Sequence, residues 1–122
     1  MAQDKAAELV MRVLHSRTAA HVFHLGTKSF AEHKALNDYY DGIVDIVDTF
    51  AETYQGRHGL LPLNGVAYTQ GMSPKAMLTG LESWITQNRY DAAPKEDTAL
   101  QNIIDEIVAL IGQTLYKLKF LS

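Results

Sequence analysis

The stretch SFAEHKALNDYYDGIVDIVDTFAETYQG, residues 29–56, sets the architecture. Leu36, Tyr40, Ile43, Val47, Phe50 and Tyr54 recur in alternating steps of four and three. That spacing puts one apolar seam on a long helix packed nearly parallel to its neighbours. Ser29 followed by Glu32 is a capping-box signature and marks the start, so the helix is expected over about Phe30–Tyr54. Gln55 and Gly56 are expected to close it.

Three more amphipathic segments flank this one. Upstream, Ala6, Leu9, Val10, Val13, Ala20 and Phe23 give a helix from about Gln3 to Leu25, ended by Gly26. Downstream, Ser73-Pro74 reads as an N-cap followed by proline in the first turn. Met77, Leu78, Leu81, Trp84 and Ile85 form the stripe of that helix, which is expected to end near Tyr90. The last helix starts at Asp97 or Thr98, where Thr98 with Gln101 spells a second capping box. Leu100, Ile104, Ile107, Ile111, Leu115 and Leu118 carry it to the end. Gly112 inside it costs about 1 kcal/mol against alanine, so close approach of another backbone is expected there.

Between the second and third helices, residues 56–72 hold four glycines and a proline, yet also Leu60, Leu61, Leu63, Val66 and Tyr68. A connection this long is usually functional or carries a short element of its own, and a small buried helix or turn is expected. Four helices with two short connections and a long one in the middle predict an all-α four-helix bundle of the ferritin-like variety, one domain over residues 1–122.

Composition narrows the function. The chain has no cysteine, so disulfides, thiolate metal sites and cysteine nucleophiles are excluded. It has neither a secretory signal pattern nor an apolar run of membrane-spanning length, which points to the cytoplasm. The net charge is −3 and the basic residues are scattered; Lys117 and Lys119 are too few to grip phosphates, so nucleic acid is not an expected partner. No phosphate loop, HExxH motif, nucleophile elbow or Glu-x-x-His motif is present.

What remains is a set of metal-ligand residue types. Asp41, Asp45, Asp48 and Glu52 step by four, three and four along the second helix, away from its seam. Such a stripe is ordinarily a solvated face, but its oxygens also suit a hard or borderline cation. His21 and His24 share a face of the first helix. His33 sits in the first turn of the second, where the helix dipole disfavours a positive charge, and the neutral imidazole is the form that ligates metals.

His21, Gly26, Phe30 and His33, followed by VDTFAE with Asp48 and Glu52, resemble the Dps family of small ferritin-like proteins, the DNA-binding proteins from starved cells. The segment KEDTALQNIIDEIVALIGQTLYKLKFL is similar to the last helix of that family. The resemblance implies a hollow homo-oligomer, a dodecamer built from two-fold dimers. Each ferroxidase centre would lie between two subunits, with His21 and His33 from one and Asp48 and Glu52 from the other. Fe(II) held there would be oxidised, usually by hydrogen peroxide, and stored as mineral; Zn(II) or Mn(II) would suit the same donors. The leucines of the long connection would be covered by dimerisation.

The chain also departs from the family. Asn37 stands where an aspartate is usual, Val22 where a tryptophan is usual, and the basic N-terminal tail used on DNA is missing. The alternative expectation is therefore a non-enzymatic structural or assembly subunit with a degenerate site.

Overall fold

The computed structural model describes residues 2–63 and 71–121. It contains α1 (Ala2–Gly26), α2 (Phe30–His58), α3 (Pro74–Ala92) and α4 (Thr98–Phe120), and no strand among the described residues. The protein is an all-α four-helix bundle.

Pairs of side chains fix the helix directions. Ser16 meets Tyr39 and His24 meets His33, so α1 and α2 are antiparallel. Asp38 pairs with Lys117 and Arg57 with Asp97, so α2 and α4 are antiparallel. Arg89 bonds Asp105, and Ala93 just past the end of α3 accepts from Gln101, so α3 and α4 are antiparallel. It follows that α2 and α3 run the same way. They occupy opposite corners, because α1 and α4 each pack against both of them. The end of α2 and the start of α3 therefore lie at opposite ends of the bundle, separated by about the length of α3, or about 28 Å at 1.5 Å per residue, and fifteen residues join them. A small buried helix or turn is expected within residues 56–72; residues 56–58 instead extend α2, and residues 64–70 lie outside the described residues.

The expected apolar stripes form the core. Leu9, Val13, Leu36, Ile43, Phe50, Leu78, Ile85, Leu100, Ile104, Ile107 and Ile111 are fully buried. Each such side chain contributes on the order of 1.5–3 kcal/mol relative to exposure. One stripe position is corrected. Tyr39, not Tyr40, fills the core, and Tyr40 turns half-out toward α1. The seam stepped one residue too far because both positions are tyrosine. The phenol of Tyr39 meets Ser16 Oγ at 2.7 Å, and the Ser16 hydroxyl in turn donates to the Val13 carbonyl. Burial pushes the Tyr39 phenol well above its ordinary pKa, partly offset by the Ser16 contact, so it remains a donor.

Helix ends differ in detail from the expected ones. Ser29 accepts from the Glu32 N–H as expected, while its own N–H donates to Thr27 Oγ1. The second helix continues through Gly56 to His58 and stops at Gly59, whose φ of 95° favours glycine. The third runs two residues past Tyr90. The cap of α4 is Asp97, which accepts from Leu100 N–H; Thr98 is the first helical residue. Gln101 is not part of a capping box. Its buried amide donates to the Arg89 and Ala93 carbonyls and accepts from Arg89 Nε, tying α3 to α4. The close approach expected at Gly112 is absent, since an added Cβ there meets nothing within 4 Å. At Gly42 the neighbour is a side chain, not a backbone: a Cβ there would stand 3.2 Å from Leu110 Cδ2.

Candidate functional site

The loop between α1 and α2 is three residues long, so the last turn of α1 lies against the first turn of α2. This brings three histidines together. The rings of His24 and His33 stack with centroids 3.6 Å apart at 20°. His24 Nδ1 contacts the His33 carbonyl at 2.7 Å, and His33 Nδ1 contacts the His24 carbonyl at 3.0 Å. A carbonyl can only accept, so both Nδ1 atoms carry protons. In the neutral ring this leaves the Nε2 lone pair for another partner. An imidazole oriented by a backbone carbonyl is the usual support of a metal-ligating histidine.

His21 lies one turn earlier on α1 and is half-buried. Its ring stacks on Tyr40 at 4.3 Å and 19°, and stands edge-on to His24 at 6.0 Å. Leu25 and Phe30, 72% and 76% exposed, flank the cluster, and the Phe30 ring lies 6.4 Å from that of His33.

Asp48 and Glu52 are elsewhere. Both are exposed on the outer face of α2, with Asp41 and Asp45. Asp48 follows His33 by fifteen residues on the same helix, about 22 Å along its axis. His21, level with Tyr40, falls about 12 Å short of Asp48 by the same measure. Within one chain the histidines and the carboxylates do not meet. Among the described residues, no group of three or more His, Asp or Glu side chains is placed to hold a metal ion. His21 and His33 are brought to one end of α2, and Asp48 and Glu52 to its middle.

Asn37 is bound on both sides. Its Oδ1 accepts from the Tyr40 hydroxyl at 2.8 Å and its Nδ2 donates to Asp41 Oδ2 at 3.1 Å. Asp38 turns away and pairs with Lys117 at 3.4 Å. Two participants were not identified from sequence. His24, placed by sequence only on the same face of the first helix as His21, is buried and braces His33. Tyr40, read as core, covers His21. The i, i+3 relation of Asn37 and Tyr40 was the signal available for the second.

A separate charged group sits at the opposite end of α2. Asp97 pairs with Arg57 and lies 3.9 Å from His58. Burial raises its carboxyl pKa, but hydrogen bonds from Arg57 and the Leu100 N–H, with the nearby Arg57 and His58 charges, outweigh that and hold it below the ordinary value.

A family of unknown function, DUF5856, matches residues 24–118, from the buried histidine of α1 to the last turn of α4. The chain belongs to that family. It is also similar to an uncharacterized 14.6 kDa protein in the mobD-ri intergenic region of Enterobacteria phage T4. The two are 27% identical over 117 residues, covering 94% of this chain and 88% of the relative. No solved structure matches the chain significantly. No helix among the described residues is long and apolar enough to cross a membrane.

Proposed function

We propose that this DUF5856 member is a Dps-like mini-ferritin subunit. It binds and oxidises Fe(II) in the cytoplasm at a site shared by two copies, stores the ferric product and limits peroxide damage. The observation that carries this reading is the division of α2: an oriented imidazole at one end and exposed carboxylates about 22 Å along the same helix. An antiparallel second copy would set His21 and His33 of one chain against Asp48 and Glu52 of another.

Charge supports that pairing. Arg17, Lys28 and Lys34 stand exposed around the histidine end, and Asp41, Asp45, Asp48 and Glu52 lie further along α2. A two-fold axis across α2 sets each group against its opposite and covers Leu25 and Phe30. Neutral imidazoles with carboxylates suit Fe(II), and they also suit Zn(II) or Mn(II). Two-fold dimers of this kind would assemble further, to a dodecamer.

A structural, non-enzymatic subunit is the second reading. It is favoured by Asn37, whose amide is committed to Tyr40 and Asp41 rather than free to ligate.

Native mass spectrometry with and without anaerobic Fe(II) tests the proposal. A twelve-subunit particle that gains about one or two irons per subunit supports it. A particle that ignores iron refutes the ferroxidase and leaves the structural reading.

A further inference from the structure

The α3–α4 hairpin is divided by charge. α3 carries no carboxylate before Glu82, and α4 carries none after Glu106. Asp91, Glu96, Asp97, Asp105 and Glu106 lie toward the loop that closes the hairpin. The open end holds Lys75, Lys117 and Lys119 instead. Ala93 lies level with Gln101, and Arg89 with Asp105. Fifteen residues back from Arg89 is Pro74, and fifteen on from Asp105 is Phe120, about 22 Å along either axis. The start of α3 and the end of α4 therefore share one tip of the bundle.

That tip is also apolar. Met72 is 97% exposed and Phe120 73%, and Tyr116 and Leu121 are exposed too. The rings of Tyr116 and Phe120, one turn apart, lie 6.0 Å between centroids. Helix-end electrostatics explains part of the charge. Lys117 and Lys119 complement the C-terminal dipole of α4, and Lys117 also pairs with Asp38. It does not explain Lys75, which stands in the first turn of α3, where a carboxylate would be favoured and none is present. Nor does the core use the apolar side chains. The two-fold contact proposed above lies across α2 and takes Leu25 and Phe30, which leaves Met72, Phe120 and Leu121 outside it.

We propose that this tip docks on an anionic lipid bilayer surface, end-on and without crossing it, an inference independent of the Fe(II) site. Lys75 and Lys119 meet the headgroup charge, while Met72, Phe120 and Leu121 enter the boundary between headgroups and acyl chains, about 5–10 Å deep. Tyr116 stands one turn back from Phe120, about 6 Å, at a depth where its phenol stays hydrated. The carboxylates at the far end of the hairpin are repelled by the same surface, so the basic tip leads. Nucleic acid fits less well. Phosphates would leave Met72, Phe120 and Leu121 in water, and the tip offers no arginine fork.

The test uses the full chain, without added iron, and vesicles of equal parts phosphatidylcholine and phosphatidylglycerol, with pure phosphatidylcholine as the control. Co-sedimentation should show binding to the anionic vesicles alone, weakening as salt is raised. One lysine beside such a surface contributes about a fivefold factor, so Lys75→Gln combined with Lys119→Gln should lower the affinity about 25-fold. Phe120→Ser should lower it about tenfold or more. All three positions are exposed, so circular dichroism should show the parental helical content. In Phe120→Trp, fluorescence should move to shorter wavelength on mixing with anionic vesicles, over the constant emission of Trp84, which packs under Arg12. A parent that does not bind anionic vesicles overturns the proposal, as does binding that Phe120→Ser leaves unchanged. Binding of duplex DNA in place of vesicles, lost in the lysine variant and kept in Phe120→Ser, overturns it in favour of nucleic acid.

Discussion

Two disabled variants should repair each other if the site is shared. His33→Ala removes the oriented imidazole, and Asp48→Ala removes a carboxylate about 22 Å away on the same helix. Neither position is in the core, since His33 is half-buried and Asp48 exposed, so both variants should fold. In a two-fold dimer each of two sites takes histidines from one chain and carboxylates from the other. A homodimer of either variant has no complete site. Half of randomly formed dimers are mixed, and each mixed dimer has one intact site and one with both changes. Co-expression at equal levels should therefore restore about a quarter of the parental Fe(II) sites. The assay is anaerobic Fe(II) titration of differently tagged, co-expressed chains, with native mass spectrometry confirming the mixture. No recovery from a confirmed mixture would refute the shared site. Full Fe(II) binding by either variant alone would remove that residue from it.

Other expectations follow from the bundle itself. Asp97→Ala should cost about 1–2 kcal/mol in urea unfolding, from loss of the α4 cap and the Arg57 pair. The folded carboxyl pKa is lowered, so this stabilisation is present above the unfolded value of 3.8 and lost as pH falls through the folded value. The difference between parent and variant should accordingly shrink in that acid window, and a gap that persists below it would contradict the assignment. Ser16→Ala should destabilise more than Tyr39→Phe, by calorimetry. The first strands a buried phenol, at about 1–3 kcal/mol, whereas the second leaves Ser16 still donating to Val13. Gly112→Ala should stabilise by up to about 1 kcal/mol in the same urea assay, because the added methyl meets open space in a helix interior. Gly42→Ala should gain less, since Leu110 must give way.

The bundle was legible because apolar periodicity and core burial are the same fact seen at two levels. Leu36, Ile43, Val47 and Phe50 could be placed from spacing alone. Adjacent residues of one type were not separable in this way, and Tyr39 and Tyr40 exchanged roles. Caps were read correctly where one hydroxyl had one choice, as at Ser73. At α4, Asp97 and Thr98 competed, and the carboxylate also engaged Arg57 from forty residues away, which no local pattern reveals. The leucines expected at an interface divide. Leu61 belongs to the core, with its N–H held by Gln55, whereas Leu60 is 83% exposed. At the candidate site, spacing located the ligand types on α1 and α2. The bracing of His33 by His24 depends on which backbone carbonyls a three-residue loop brings within reach, and composition carries no trace of that.

The direction of the long crossover has a consequence for how the sequence can drift. It makes the molecule two antiparallel hairpins, each closed by a short local loop and joined once through residues 59–73. His21, His24, His33, Tyr40, Asp48 and Glu52 all belong to the first hairpin, and the second contributes none of them. To that site the α3–α4 half is then answerable only for an apolar face, the Gln101 tie and the Asp97 cap. Its outer surface is the region where substitutions accumulate at least cost to the candidate site, and the joining segment is where changes of length are absorbed most cheaply.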